Sequence, residues 1–375
     1  MIVISTLTVV PLAPRKVLST LDPEIQWNLI DVGADKAWNY TQGRSNIVVA
    51  VIDSGIDFTH PDLVNQSWRN TDEIPDNGID DDSNDYVDDI VGWDFRENDK
   101  DPSPGHPHGT FVAGLIAADD DNNISVGIAP NIRLMALRFL NDQNRFGGGD
   151  WDMFIETVDY AVDNKADIIQ LSIQADGVPP ESFHTAIKRA YNSGVVIVSV
   201  TGNNEDDVTY PGRYPEVIAV SATTKGREIA SFSSPGEENE ICAPGYNVTS
   251  IYPAKWTLQI GSGTSFAAPL VSGAIALMLS LNNTLSVNTI RTILHETCTD
   301  LGITGKDPIF GYGLLNVSAA LEKVVIEHNN GTTNISTETS TSKTFMNDTT
   351  SINGFSGILF LVLLIYTRKL RKRKI

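Results

Sequence analysis

The chain has 375 residues, 41% of them hydrophobic, which is enough to bury at least one large core and excludes wholesale disorder. Asp and Glu number 47 against 27 Lys and Arg, a formal charge of −20, and so acidic a chain repels phosphate backbones and argues against a nucleic-acid partner. The acid is clustered rather than spread, which points beyond solubility to cation binding.

Residues 1–25 form an uncertain N-terminal segment. Met1 to Pro14 is apolar, but no positive charge precedes it and no small-residue cleavage site follows, so it reads as the remnant of a leader or prosegment rather than as a signal peptide. From 26 to 327 the pattern alternates strand and helix. The β-branched runs Asn46–Ile52, Ala166–Ser172 and Gly194–Val200 have the character of strands buried on both faces. Helical stretches at Met153–Asn164 and Ser182–Asn192 lie among them. This alternation predicts an α/β fold, a doubly wound, mostly parallel sheet with helices on both faces, whose ligands sit at the carboxyl ends of the strands.

Residues 328–353 are rich in Asn, Ser and Thr and read as a solvated linker. Residues 354–375 combine an apolar run from Gly357 to Tyr366 with the basic end Arg368 to Lys374. The run is short for a bilayer of roughly 30 Å, and extending it over Ile352–Thr367 makes a marginal span. Its basic flank marks a cytoplasmic side and places the large domain outside. Two readings of this tail stand: a membrane anchor, or a sorting tail that is cut on attachment to the envelope. The only cysteines, Cys242 and Cys298, are too far apart in sequence for a metal motif, and they read either as one disulfide of an exported chain or as two buried free thiols.

Three signals fall just after apolar runs or at helix starts. Asp53-Ser54-Gly55-Ile56-Asp57 ends the first strand, where a carboxylate needs a partner. His108-Gly109-Thr110 opens a helix with small residues at helical spacing. Gly263-Thr264-Ser265-Phe266-Ala267-Ala268-Pro269 sets Ser265 at the turn entering the helix Leu270–Leu281, where outward-pointing N–H groups favour negative charge. In the order Asp, His, Ser, these motifs make residues 26–325 resemble the subtilisin-like serine proteases, whose triad order is a known template. The resemblance extends to His60-Pro61-Asp62-Leu63, Thr201-Gly202-Asn203, Tyr210 to Pro215 and Phe310-Gly311-Tyr312-Gly313.

What the resemblance implies is a serine endopeptidase acting outside the cell and attached to a membrane through its tail, a monomer that takes protein or peptide substrates. Ser265 would be the nucleophile, His108 the base and then the acid, and Asp53 the group that orients the imidazole. The Asn203 amide and the Ser265 N–H would bind the oxyanion. A peptide would add as a strand along Gly147-Gly148-Gly149 and Leu171-Ser172-Ile173-Gln174, with Gly202 also on the binding side. The competing reading is an inactive scaffold of the same family that binds peptides at the cell surface.

The sequence departs from that family in several places. Ser172-Ile173-Gln174-Ala175 stands where Ser-Leu-Gly-Gly is usual, so larger side chains narrow the pocket for the residue before the cut bond. Phe266 replaces a common Met after the nucleophile and resists oxidation. Glu205, Asp206 and Asp207 suggest a pocket rim that favours basic residues. No prosegment is legible before Gln26, which suggests a truncated reading frame or folding driven by calcium.

Thirteen Asp or Glu fall between residues 72 and 101, against only Arg96 and Lys100. Carboxylates so dense repel one another unless a cation neutralises them. Alternation at Asp80, Asp82 and Asn84 resembles the start of an oxygen-ligand calcium loop, which Asp88 or Asp89 would close. Hard oxygen ligands disfavour zinc, and the expected cofactor is Ca2+. The bland alternative is a disordered acidic loop. By resemblance, a second calcium would lie at Asp62 and the loop Asp119 to Asn123, with Asp121 its favoured ligand and Gln26 nearby.

Overall fold

A computed structural model describes residues 8–9, 24–120, 125–175, 177–253 and 257–328. Asp121 and the whole tail from 329 onward lie outside the described residues, as do residues 1–7 and 10–23 of the N-terminal segment. The described residues form one compact unit.

In chain order the elements are β1 (Thr8–Val9), α1 (Trp27–Asp31), α2 (Ala34–Ala37), β2 (Val48–Asp53), β3 (Gly92–Asp94), α3 (His108–Ala117), β4 (Arg133–Arg138), α4 (Trp151–Asp163), β5 (Ile168–Leu171), α5 (Glu181–Asn192), β6 (Val196–Val200), β7 (Val217–Thr223), β8 (Asn239–Pro244), β9 (Val248–Tyr252), β10 (Thr257–Gly261), α6 (Thr264–Leu281) and α7 (Val287–Thr297). A further helix covers 317–328. Seven strands make one sheet in the order β3-β4-β2-β5-β6-β7-β8, and each adjacent pair is parallel. A separate antiparallel sheet runs β1-β10-β9.

The alternation of β2 explains the layers. Val49 and Val51 point into a core shared with α3, α6 and α7, and Val48, Ala50 and Ile52 point into a core shared with α4 and α5. Both faces are covered, which is why the strand reads as an unbroken apolar run. α6 is apolar over its 18 residues and long enough to cross a bilayer, yet it is buried along its length inside this domain. Its bulk is what the sheet packs on.

After β2 the chain first adds β3 and β4 on one side, then crosses to β5 on the other. Asp53 ends β2 at this reversal, Ser172 follows β5, and the 201–203 segment follows β6. The doubly wound topology thus delivers three separate chain segments to the carboxyl edge.

Candidate active site

His108 opens α3, and its Nδ1 lies 2.8 and 2.9 Å from the two carboxylate oxygens of Asp53. Both side chains are nearly sealed from solvent, at 4% and 1% exposure, so the pair sits where a charge would be costly without its partner. Asp53 Oδ1 also accepts the Ser54 N–H at 2.7 Å. Because a carboxylate only accepts, Nδ1 is the donor, which leaves Nε2 as the nitrogen that faces away from Asp53. Gly109 makes the approach possible: a Cβ there would meet the Gly55 carbonyl at 2.3 Å and Asp53 Oδ1 at 3.1 Å. Phe266 is fully buried and packs against both the His108 ring, at 5.5 Å, and Phe111, at 4.4 Å.

Ser265 lies in the first turn of α6. Four residues on, Pro269 has no N–H to give to the Ser265 carbonyl. That carbonyl instead accepts the Ser172 hydroxyl at 2.7 Å, and Ser265 Oγ donates to the Ser172 carbonyl at 3.4 Å. Beneath them Gln170 donates to Ser172 Oγ at 2.9 Å and accepts from Ser272 at 2.5 Å. A buried polar chain therefore ties β5 to the helix that carries Ser265.

Asn203 is fixed from two sides. Its Oδ1 accepts both the N–H and the hydroxyl of Thr264, at 2.8 and 2.9 Å, and its own N–H donates to Gln174 Oε1 at 2.9 Å. A backbone N–H can bond only the oxygen of the amide, so the side-chain Nδ2 is left as a free-facing donor. His108, Asn203 and Ser265 line one cleft of ≈ 750 Å³, together with His106, Gly148, Ser172 and Gln174. Gly149, Leu171 and Gly202 are not among the described residues that line this cleft. Leu171 is fully buried in the core, since it is the last residue of β5 and faces α4 and α5. Gly202 has φ +119 and serves the backbone: a Cβ would press on Thr209 and Ser234. Asp207 pairs with Arg213 at 3.1 Å and stands exposed outside the cleft.

The acidic insert is ordered. Glu73, Asp82 and Asp89 bring one carboxylate oxygen each to within 4.8 Å of one another. Asn70 reaches both Asp82 and Asp89, at 2.9 and 2.7 Å, and Asn84 reaches the same pair at 3.2 and 3.1 Å. Burial pushes the Asp89 carboxyl up, against the opposing hydrogen bonds from Tyr160, Asn70 and Asn84. Glu73 went unnoticed in the sequence because it precedes the alternating run by several residues. Two other expected ligands make backbone or ion-pair contacts. Asp80 accepts the backbone N–H groups of Asn84 and Asp85, at 3.0 and 2.9 Å, and so shapes the turn. Asp88 faces Lys100 at 3.1 Å and accepts the N–H groups of Asn77 and Gly78. Asp62 is buried, and its carbonyl accepts the Asp119 N–H at 2.8 Å, while Gln26 bridges Ser125 and Val126 on the far side of the loop. Both cysteines are free thiols, and burial raises both, Cys298 to about 11.

Residues 44–313 match the description of the Subtilase family. The chain is 34% identical over 298 residues to Subtilisin DY of Bacillus licheniformis, covering 78% of this chain and 96% of that one. It is 35% identical over 285 residues to a Subtilisin of Bacillus pumilus, at 74% and 92% coverage. It is 37% identical over 255 residues to the Major intracellular serine protease of Bacillus subtilis (strain 168), at 66% and 73% coverage.

Proposed function

The chain belongs to the subtilase family and is a serine-type endopeptidase, and we propose that it cuts peptide bonds through an acyl-enzyme formed on Ser265. One observation carries this reading: the Asp53–His108 pair and the Asn203 amide face the same cleft as the Ser265 hydroxyl. His108 Nε2 takes the Ser265 proton as Oγ attacks the carbonyl carbon, and returns it to the leaving amine. Asp53 holds the ring in the tautomer this needs and stabilises the imidazolium. The oxyanion gains hydrogen bonds from Asn203 Nδ2 and the Ser265 N–H. Water then takes the amine's place and the steps run in reverse. A fluorophosphonate probe tests this: it should label the folded chain at Ser265 and not label Ser265→Ala. Labelling at another residue, or none, overturns it.

Calcium at the insert is part of the same proposal. Three carboxylates crowd together, one of them pushed up by burial, and all donors are hard oxygens, which suits Ca2+. Glu73, Asp82 and Asp89 would hold the ion, and its chemistry would be charge neutralisation that keeps the insert folded. We also read the enzyme as acting at the outer face of the cell membrane, held by residues 354–375. The basic end Arg368 to Lys374 supports this reading. Fractionation of cells making the full chain tests it: the domain should be accessible to added protease from outside and stay with membranes or envelope. Recovery in the cytosol overturns it.

A further inference from the structure

Beyond the ends of β5 and β6, Ser172 to Ala175 and Asn203 line the same cleft. The Gln174 side chain spans them, because its Oε1 accepts the Asn203 N–H at 2.9 Å. The 172–175 segment is tied in place at both ends. Ser172 is tied to Ser265, and the Ala175 N–H donates to the Tyr210 carbonyl at 2.8 Å. Gln174 lines the cleft beside Ser265, Asn203 and Gly263. A carbonyl carbon on Ser265 Oγ, with its oxygen on Asn203 Nδ2, would bring the side chain on the acyl side of the cut bond to the space beside Gln174.

We propose that Gln174 determines specificity by closing that space, so that the enzyme cuts after short side chains and discriminates against aromatic ones. The inference rests on Ser265 as the nucleophile. A bulky side chain entering there must displace the Gln174 carboxamide. It would then strip the Asn203 N–H of its acceptor, at the group whose side chain holds the oxyanion. Bulk and hydrogen bond therefore act in one direction against large residues.

The test uses the full chain and a peptide p-nitroanilide series that differs only before the cut bond, with Ala, Leu or Phe. The wild type should favour Ala over Phe in kcat/KM by about tenfold or more, and Gln174→Gly should raise the Phe-to-Ala ratio by about tenfold or more. Gln174→Ala makes the same comparison should the glycine variant not fold. Gln174→Leu keeps the bulk without the acceptor and should leave the ratio within about threefold. A wild type that favours Phe, or an unchanged ratio in the glycine and alanine variants, overturns the inference. A leucine variant that shifts as far as the glycine one also overturns it, since Gln174 would then act by holding Asn203. Fluorophosphonate labelling separates the two levels: an unlabelled, folded wild type overturns the nucleophile itself, whereas an unchanged ratio in labelled enzyme overturns only the role of Gln174.

Discussion

Asn203 is held at its backbone N–H by Gln174 and at its Oδ1 by Thr264, so the one group left to meet a ligand is the amide NH2. Removing that group should cost catalysis without unfolding the chain. Asn203→Ala should lower kcat by about 10²–10³, and by orphaning the Thr264 N–H and hydroxyl it should also destabilise the fold by about 1–3 kcal/mol. Thr264→Val removes one of the two donors and keeps the other, so its kcat should fall by only about 3–10-fold, the worth of one neutral hydrogen bond. Steady-state kinetics on one peptide substrate checks both, and equal losses would refute the claim that Thr264 acts through the orientation of Asn203. At this scale the sequence was legible where residues carry chemistry. Asp53, His108, Ser265 and Asn203 stand in motifs. Thr264 was hidden within the Ser265 motif, and Gln174 showed only as a departure from a pattern. What a side chain bonds to across a gap leaves no trace in spacing.

At the scale of elements, two joints hold α6 and α7 on the sheet. The first is the Ser172–Ser265 exchange, which exists because Pro269 leaves the Ser265 carbonyl without its helical partner. Ser172→Ala should destabilise by about 1–3 kcal/mol by orphaning that carbonyl. In a Pro269→Ala background the backbone N–H restored at position 269 can donate to the carbonyl, and the same substitution should cost about 1 kcal/mol less. Urea unfolding of the four chains measures this coupling, and additivity would refute it. The second joint ties α7 to β8. Arg291 reaches the Glu240 carboxylate at 2.9 and 2.5 Å and His295 reaches it at 2.8 Å. Burial alone would push Glu240 up, but these hydrogen bonds and the Arg291 charge reverse that and hold it below its ordinary value of 4.5. The native state therefore holds this proton less tightly than the unfolded chain. Its contribution to stability is complete above pH 4.5 and is lost as pH falls through the depressed value. Glu240→Gln should lower stability at neutral pH and flatten the acid limb of the stability curve between pH 5 and 3, roughly the ordinary carboxylate range.

For the whole molecule, the calcium proposal makes the fold of the acidic insert depend on neutralising its charges. With calcium at about 100 times its dissociation constant, binding adds roughly 2.7 kcal/mol, so a chelator should lower the melting temperature by about 5–10 °C. The double variant Glu73→Gln, Asp82→Asn should lose this chelator response, and an unchanged wild-type melting curve would refute the calcium reading. The sequence by itself determined the parallel α/β sheet, because strands buried on both faces must read as unbroken apolar runs such as Val48 to Ile52. It also offered candidates for the proposed chemistry, because nucleophile, base and oxyanion donor each need one kind of side chain at a strand or helix end. Only the tertiary structure decided which acids meet. Asp80, Asp82, Asp88 and Asp89 look alike in the chain, yet turn geometry sends Asp80 to backbone amides and Asp88 to Lys100, and brings Glu73 to Asp82 and Asp89. Likewise, only the structure placed Leu171 in the core and Gln174 across the cleft. The physical reason is the same in each case. Local sequence fixes the direction of the backbone, but a side chain's partner is chosen by what the fold brings to the other side of the gap.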